Sequence, residues 1–279
     1  MAIDHYENFP VASFLMPANI RQDVVNLYRF ARYADDIADE GDALPAQRLR
    51  QLRNLHLALN SMALSNDSTP LPPFLDPKIE EICGPLAVTI RRQKLPISPL
   101  SDLLSAFEQD IQVQRYPNVS KLLDYCNRSA NPVGRLMLHL FKHQTAQSLR
   151  QSDQICTALQ LINFLQDVAI DFQKGRIYLP QDEMVAAGVS EQDIATSTLN
   201  DNWRNLMQLQ VNRCRSLLKA GRPLGKTLSG RIGLEMRLIV EGGGRVLDKI
   251  EALKFDVFHQ RPTLNLFDWL LIIWRAIKP

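Results

Sequence analysis

Helical periodicity runs through most of this sequence and restricts its fold more than any other feature. Apolar residues recur at intervals of three and four, for example at Val24, Leu27, Ala31 and Ala34, which places them along one face of an α-helix. Runs that alternate apolar and polar residues, as strands do, are nearly absent. The sequence therefore predicts an all-α protein of about ten helices. The same pattern covers residues 48–63, 99–113, 119–141, 155–172, 203–218 and 232–253.

The chain is predicted to form a single domain. Its 279 residues are within reach of one helical core. The polar, proline-rich stretch 65–77 is too short to link two domains and is interpreted as a surface loop. We therefore expect residues 1–279 to form one all-α domain.

Charge and hydropathy exclude several classes of protein. The 32 Lys and Arg and 30 Asp and Glu leave a net charge of +2, so a strongly basic surface for nucleic acid is not expected. The N-terminus lacks the basic start and apolar run of a signal peptide, which favours a cytoplasmic location. The apolar run 266–277 is too short to cross a bilayer. We expect it either to be buried in the fold or to lie at the inner face of the membrane.

Two aspartate pairs are the strongest indication of chemistry. Asp35 and Asp39 are four residues apart, as are Asp167 and Asp171, so the carboxylates of each pair share one helix face. Each pair follows an apolar stretch and encloses no basic residue, although like charges at this spacing destabilise a helix. Carboxylate oxygens suit Mg²⁺, which keeps waters and bridges to substrate phosphates. The pairs predict a magnesium–diphosphate site; the alternative is that each is a solvated helix end.

Other polar residues accompany the two pairs. Tyr28 and Arg32 precede the first pair on the same predicted helix face. Arg32 is placed to contact a phosphate, although its spacing from Asp36 also fits an ordinary helix salt bridge. Gly175 is expected to end the second acidic helix, and Arg176 follows it at the turn. We expect Arg176 either to order that helix or to contact the substrate.

These motifs, in this order, resemble those of the squalene/phytoene synthase family. The stretch 27–39 (LYRFARYADDIAD) resembles its first aspartate motif, and 161–171 (LINFLQDVAID) with 175–180 (GRIYLP) resembles its second. The stretch 125–134 (YCNRSANPVG) resembles the segment between them. The likeness runs from His5 to Lys254. It implies the all-α isoprenoid-synthase (terpenoid-synthase) fold around an apolar pocket, with Mg²⁺ held at the mouth of the pocket by both motifs.

Carried over by position, the resemblance implies roles for single residues. The catalytic aspartates are the two pairs themselves. The implied metal ligands are Asp35, Asp36, Asp39, Asn163, Asp167 and Asp171. The implied substrate contacts are Tyr28 and Arg32 at the diphosphate and, near the pocket, Phe9 and Gln160, to which Ser129 and Arg176 are added as candidates.

Two departures from the common family pattern indicate one branch. Gln166 stands where many relatives have Arg, and the stretch 129–134 (SANPVG) replaces the common Val-Ala-Gly-x-Val-Gly. With the N-terminal stretch DHYENFP, these features resemble the hydroxysqualene synthase branch of the bacterial hopanoid pathway. That branch converts presqualene diphosphate and water to hydroxysqualene and diphosphate. The implied functional neighbour is a presqualene diphosphate synthase.

A reaction in which water captures the carbocation requires a positioned water molecule. Ser129, Asn131 and Gln166 are the candidates to hold it, because they bring neutral polar groups to the expected pocket. Other activities remain open. Head-to-head condensation of farnesyl diphosphate would give presqualene diphosphate, squalene or dehydrosqualene, and condensation of geranylgeranyl diphosphate would give phytoene. Hydrolysis of prenyl diphosphates and a non-catalytic helical subunit are further alternatives.

Overall fold

α-Helices account for all regular secondary structure in residues 16–64 and 76–277, the parts of the chain that the computed structural model describes. This confirms the all-α prediction. In chain order the helices are α1 (Ala18–Asp39), α2 (Pro45–Leu64), α3 (Pro77–Gln93), α4 (Ser98–Gln112), α5 (Val119–Ser129), α6 (Asn131–Leu140), α7 (Ala146–Gln166), α8 (Val168–Gln173), α9 (Gln181–Ala187), α10 (Glu191–Ala195), α11 (Asp201–Gly221), α12 (Leu224–Thr227), α13 (Gly230–Ala252) and α14 (Leu266–Ile277).

Short helices explain why the described residues contain more helices than the expected ten. α8, α9, α10 and α12 have four to seven residues, which is too short to show periodicity. The expected helix 119–141 is also wrong, because the chain starts a new helix after Ala130. Pro132 has no N–H to donate to the carbonyl of Arg128, so an uninterrupted helix would lose a hydrogen bond there.

The described helices form two compact units. The first contains residues 16–64, 76–113 and 128–144, and the second contains residues 114–127 and 145–277. The expectation of a single domain stays a prediction. In the first unit, α1 packs on α2, α3 and α4, and α4 packs on α2 and α6. In the second, α7 packs along α11 and α13, and α13 supports α14.

A stripe of buried side chains fixes the orientation of α1 in the first unit. Leu27, Phe30, Ala34 and Ala38 are no more than 8% exposed, and their spacing of three and four places them on one face. Because this face is buried, the side chains that lie between these positions are turned toward the other side of α1. The acidic end of α1 is therefore positioned by the packing of its apolar face.

Close contacts at glycines bring helices of the second unit together. A Cβ at Gly221 would lie 2.4 Å from the side chain of Ile155 and 2.8 Å from the carbonyl oxygen of Gln151, so any side chain there would separate α11 from α7. A Cβ at Gly243 would lie 3.0 Å from the side chain of Leu159. Within the glycine run 242–244, Gly243 is thus the close-packing position, whereas a Cβ at Gly244 would meet nothing within 4 Å.

The C-terminal helix α14 is attached to α13 by a buried face. Asp268, Ile272 and Ala276 are at most 2% exposed and recur every four residues along α14. Burial, one of the two expectations for this segment, is therefore correct for one face of the helix only. None of the described helices is long and apolar enough to cross a membrane.

The buried carboxylate of Asp268 holds α14 in place. It accepts hydrogen bonds from Lys249 Nζ at 2.6 Å, Arg245 Nε at 2.7 Å and the Asn265 N–H at 2.8 Å. Burial alone would raise the pKa of Asp268, but these donors and cations outweigh it and lower the pKa to about 2. The carboxylate therefore joins α13 to α14 and caps the first turn of α14.

We predict that Asp268→Asn lowers the free energy of unfolding at pH 7 by about 3 kcal/mol, because two cations lose their buried carboxylate. The pKa of Asp268 is lower in the folded protein, so its contribution is fully present above the ordinary value of 3.8 and is lost as the pH falls through about 2. Urea unfolding of parent and variant at pH 7 and pH 3 measures this. The difference between them should shrink at pH 3.

The matched control is Asp201→Asn, which removes an exposed carboxylate that pairs with Arg204. We expect it to change the free energy of unfolding by less than about 0.5 kcal/mol at both pH values. Equal losses in the two variants, or a loss in Asp268→Asn that does not depend on pH, would contradict the assigned role of Asp268.

Candidate functional site

The first aspartate pair lies at the C-terminal end of α1, in the first unit. Arg32 reaches toward it: Nη1 lies 3.1 Å from Asp35 Oδ2, and Nη2 lies 2.6 Å from Asp36 Oδ1. These three side chains are 31–43% exposed, and Tyr28 and Asp39 on the same helix are partly exposed. The expected helix salt bridge is therefore confirmed, while a contact between Arg32 and a phosphate stays a prediction.

The electrostatic surroundings of Arg32 favour its charged form. Burial alone would lower the pKa of Arg32, but the nearby charges of Asp35 and Asp36 outweigh it and raise the pKa. The guanidinium is therefore a permanent cation among the acidic side chains of α1. It offsets part of the repulsion between carboxylates one turn apart.

Arg48 from α2 stabilises the acidic end of α1. Its guanidinium donates to the carbonyl oxygens of Ala38 at 2.6 Å, Gly41 at 2.5 Å and Ala43 at 2.9 Å. These carbonyls lie at and just beyond the C-terminus of the helix, where a cation is favourable. Arg48 was not predicted from the sequence, because its contact depends on the turn between α1 and α2. Arg48 fixes the backbone that carries Asp39.

The second aspartate pair lies at a break between two helices of the second unit. The expected continuous helix over 155–172 is wrong, since Asp167 has φ −108° and ψ 15° and separates α7 from α8. Hydrogen bonds nevertheless continue across the break, from the Asp167 N–H to the Asn163 carbonyl at 3.0 Å and from the Asp171 N–H to the Asp167 carbonyl at 2.8 Å. The three expected ligands of this motif therefore still follow one another turn by turn.

Arg261 binds the first carboxylate of this motif. Its Nε lies 2.5 Å from Asp167 Oδ1 and its Nη2 lies 3.0 Å from Oδ2, which is a bidentate pair. The neighbouring Gln166 is 1% exposed and donates from Nε2 to the Pro262 carbonyl at 2.5 Å. Two successive residues at the end of α7 thus bind the same loop between α13 and α14.

These contacts give Gln166 an observed structural role. It holds the loop that carries Arg261 in place, while the expected role in holding water stays a prediction. Sequence reasoning missed Arg261 because it lies 94 positions from Asp167, and no motif spacing connects the two.

The turn after the second motif is held in one conformation. Gly175 has φ +79°, in the left-handed region that glycine enters without strain, and it ends α8 as predicted. The Arg176 N–H donates to the Asp171 carbonyl at 2.8 Å, so Arg176 orders the acidic helix through its backbone. Arg115 Nη1 donates to the Gly175 carbonyl at 2.5 Å. Substrate contact by the Arg176 side chain stays a prediction.

A stack of aromatic rings adjoins the second motif. Phe164, one residue after Asn163, stacks on Tyr178 with ring centroids 3.7 Å apart and an interplanar angle of 3°. Tyr178 also stacks on Tyr116 at 5.7 Å, and Tyr125 lies 6.2 Å from Phe164. Tyr116 and Tyr125 are at most 4% exposed. Sequence reasoning found Tyr178 only as part of the GRIYLP stretch and did not predict the stack.

The remaining predicted residues are placed as follows. Ser129 and Asn131 flank the break between α5 and α6 in the first unit. Ser129 Oγ is buried and has no hydrogen-bond partner among the residues that the structure describes, and Asn131 is 5% exposed. Gln160 lies on α7 in the second unit and is partly buried. Phe9 lies outside the described residues.

The aspartates suit a metal ion that also binds substrate. The described ranges contain no group of three or more His, Cys, Asp or Glu side chains able to hold a metal by themselves. Mg²⁺ commonly takes one or two protein carboxylates and completes its coordination with water and phosphate oxygens. Asp35 with Asp39, and Asp167 with Asp171, offer hard oxygen donors of this kind at partly exposed positions. The residues present therefore fit Mg²⁺ bound together with a diphosphate.

Comparison with known proteins agrees with these features. A family model described as squalene/phytoene synthase matches residues 3–268. The hydroxysqualene synthase of Zymomonas mobilis is 34% identical over 273 residues, which cover 93% of this chain and 85% of that protein. The hydroxysqualene synthase of Rhodopseudomonas palustris is 33% identical over 282 residues, covering 98% and 88%.

Solved structures show the same fold. The crystal structure of squalene synthase HpnC from Alicyclobacillus acidocaldarius has a TM-score of 0.79 and 31% identity, and the match covers 90% of each chain. A dehydrosqualene synthase crystallised with a ligand also has a TM-score of 0.79, at 21% identity, covering 94% of this chain and 87% of that one. The expected isoprenoid-synthase fold is therefore confirmed.

The family match covers almost the whole chain, and both bacterial relatives exceed 30% identity over nearly all of it. The chain therefore belongs to the squalene/phytoene synthase family of enzymes.

Proposed function

We propose that this protein ionises presqualene diphosphate in a Mg²⁺-dependent step and directs water to the rearranged carbocation, releasing hydroxysqualene and diphosphate. The observation that carries the proposal is the identity of 33–34% to two hydroxysqualene synthases over at least 93% of this chain. The aspartate motifs and their arginines supply the groups that such an ionisation requires.

The reaction begins with heterolysis of a C–O bond, in which the electron pair leaves with the diphosphate. The remaining cyclopropylcarbinyl cation rearranges, and a water oxygen then forms a new C–O bond. The proton lost by that water passes to the departing diphosphate, which is the base that the ionisation releases. The enzyme must therefore stabilise an anion at one end of the substrate and a cation at the other.

Stabilisation of the anion falls to the acidic motifs and their arginines. Bound Mg²⁺ would neutralise the charge that develops on the leaving diphosphate. In the first unit Asp35 and Asp39 would be its ligands, with Asp36 as a further oxygen donor. In the second unit the ligands would be Asp167 and Asp171, with Asn163. Arg32 and Arg261 already lie against these carboxylates. With the carboxylates holding a metal ion instead, both guanidinium groups would be free to donate to phosphate oxygens.

Stabilisation of the cation falls to aromatic and polar side chains. Phe164 and Tyr178 are stacked on each other, so a cation would be attracted to ring faces that lie outside this stack. Apolar walls would delay its capture by water. The buried hydroxyl of Ser129, with no partner among the described residues, is the best supported water-binding candidate. Asn131 and Gln166 are the other two candidates for this role.

Head-to-head condensation is the second candidate function. It is favoured by the likeness to a crystal structure named squalene synthase, with 31% identity over 90% of this chain. In that activity the same motifs would bind two molecules of farnesyl diphosphate. The two functions therefore differ in substrate and product rather than in metal ligands.

We predict that, with Mg²⁺ present, the protein converts presqualene diphosphate and water to hydroxysqualene and diphosphate, because the polar pocket candidates direct water to the cation. Mass spectrometry of the extracted lipid, with the reaction run in ¹⁸O-labelled water, should show one labelled hydroxyl oxygen. A matched reaction with EDTA should give no product. Presqualene diphosphate or dehydrosqualene formed from farnesyl diphosphate alone, or squalene formed when a nicotinamide reductant is added, would favour the second candidate. A simple prenyl alcohol would indicate a hydrolase and contradict both.

We also predict that Asp35→Asn and Asp167→Asn each lower kcat/KM by at least about a hundred-fold, because each removes an anionic metal ligand while preserving the shape of the side chain. Steady-state kinetics at saturating Mg²⁺ measures the loss. The matched controls are Asp42→Asn and Asp182→Asn, at exposed positions of the same two units, which should retain the parent rate. Equal rates in motif and control variants would show that the motifs are not metal ligands.

A further inference from the structure

The outward face of α14 is an uninterrupted apolar surface. Six of the thirteen large apolar side chains that are exposed in the described residues belong to this one helix. The other seven are spread over the rest of the described chain, where single exposed apolar side chains are ordinary. The six, with their exposed fractions, are Leu266 (75%), Phe267 (80%), Leu270 (60%), Ile273 (42%), Trp274 (55%) and Ile277 (66%).

An ordinary surface helix exposes its charged residues and buries its apolar ones, and α14 does the opposite. Leu266, Leu270, Ile273 and Ile277 follow one another at intervals of four, three and four, so they form one exposed stripe. The only acidic residue of the helix, Asp268, points the other way and is 2% exposed, bound by two cations of α13. The exposed stripe therefore contains no charged side chain, and none of the described residues of the second unit covers it.

A basic groove borders this face. It has a volume of about 530 Å³ and is formed by residues of α11, α13 and α14. Arg215, Lys219, Arg222 and Arg275 bring four positive charges to its wall, against two carboxylates from Glu241 and Asp248. Arg275 is itself a residue of α14, so the groove reaches the helix that carries the apolar face.

Lys219 is the most readily available of these cations. Arg222 pairs with Glu241, and Arg275 pairs with Asp248. Arg215 pairs with both Asp248 and Glu251, so three carboxylates balance three of the four cations. Lys219 is exposed and has no ion pair with another described residue. The excess of positive charge in the groove therefore attracts an anion, for which Lys219 is a donor that breaks no existing pair.

We propose that the outward face of α14 docks on the surface of an anionic lipid bilayer, while the basic groove beside it binds phosphate headgroups. The 12 residues of α14 span about 18 Å, which suits a helix lying in the plane of the interface rather than crossing it. Tryptophan and phenylalanine side chains, which this face exposes, favour the interface. The proposal concerns a surface outside the aspartate motifs and does not depend on the proposed reaction.

Charge favours a lipid surface over a second copy of this chain. A symmetric dimer through α14 would pair identical patches and would bring two basic grooves of excess positive charge close to each other. An anionic bilayer offers both an apolar interior for the stripe and phosphates for the groove. Its headgroup charge complements that of the protein.

Flotation of the full chain with substrate-free vesicles tests the proposal. The protein should float with vesicles of phosphatidylcholine and phosphatidylglycerol, bind less to vesicles of phosphatidylcholine alone, and bind less as salt is raised. Leu270→Asp should weaken partitioning to the anionic vesicles about ten-fold or more, because a charge replaces an inserted apolar side chain. Val185→Asp is the matched control, with 78% exposure on α9, and should bind like the parent.

A second pair of variants tests the contribution of charge to vesicle binding. Lys219→Glu should weaken binding to anionic vesicles without changing binding to neutral ones, and Lys121→Glu, an exposed lysine on α5, should leave both unchanged. Circular dichroism checks that every variant is folded. The proposal is overturned if the parent does not float with anionic vesicles or if Leu270→Asp binds like Val185→Asp. It is also overturned if Leu270→Asp converts a dimer to a monomer without affecting lipid binding. None of these readouts requires turnover, so failure of the proposed reaction is separately visible.

Discussion

Repulsion between carboxylates one helical turn apart is the constraint on which the candidate site depends. Each aspartate pair places like charges where a helix is weakened by them, and the pairs occur on helices whose opposite faces are packed. Like charges at this spacing cost about 0.2–0.5 kcal/mol, and positive charge nearby offsets that cost. The structure supplies it with guanidinium groups, from Arg32 at the first motif and from Arg261 at the second.

The arginine pairs connect the stability of the site to its chemistry. Under the proposed function, a guanidinium that now binds a carboxylate would donate to a phosphate once a metal ion took its place, so the positive charge would be present before the substrate arrived. Much of the backbone around the motifs is fixed independently of that exchange. Arg48 binds the end of α1, Gln166 holds the loop of Arg261, and Gly175 ends α8 in a left-handed turn. Such preorganisation is what electrostatic stabilisation of an ionising substrate requires.

The sequence predicted those structural features that depend on residues close together in the chain. The helices, the turn at Gly175 and the pair between Arg32 and Asp36 follow from spacing alone. The contact between Arg261 and Asp167 was missed because it joins residues far apart in the chain, and the helix break at Asp167 because hydrophobic periodicity continues through it. The sequence also could not show that one face of α14 is exposed. An apolar helix has the same pattern whether one side or all sides are covered, and only the burial of Asp268 shows which side faces inward.

The most direct test of the account is whether both motifs bind a metal ion together with a diphosphate. Isothermal titration calorimetry of the parent with inorganic diphosphate should show tight binding with Mg²⁺ present and weak binding without it. A variant in which Asp35 and Asp167 are both changed to Asn should lose this dependence on Mg²⁺ while remaining folded. If the double variant bound diphosphate and Mg²⁺ as tightly as the parent, the two aspartate pairs would not be the metal site, and the account would be wrong.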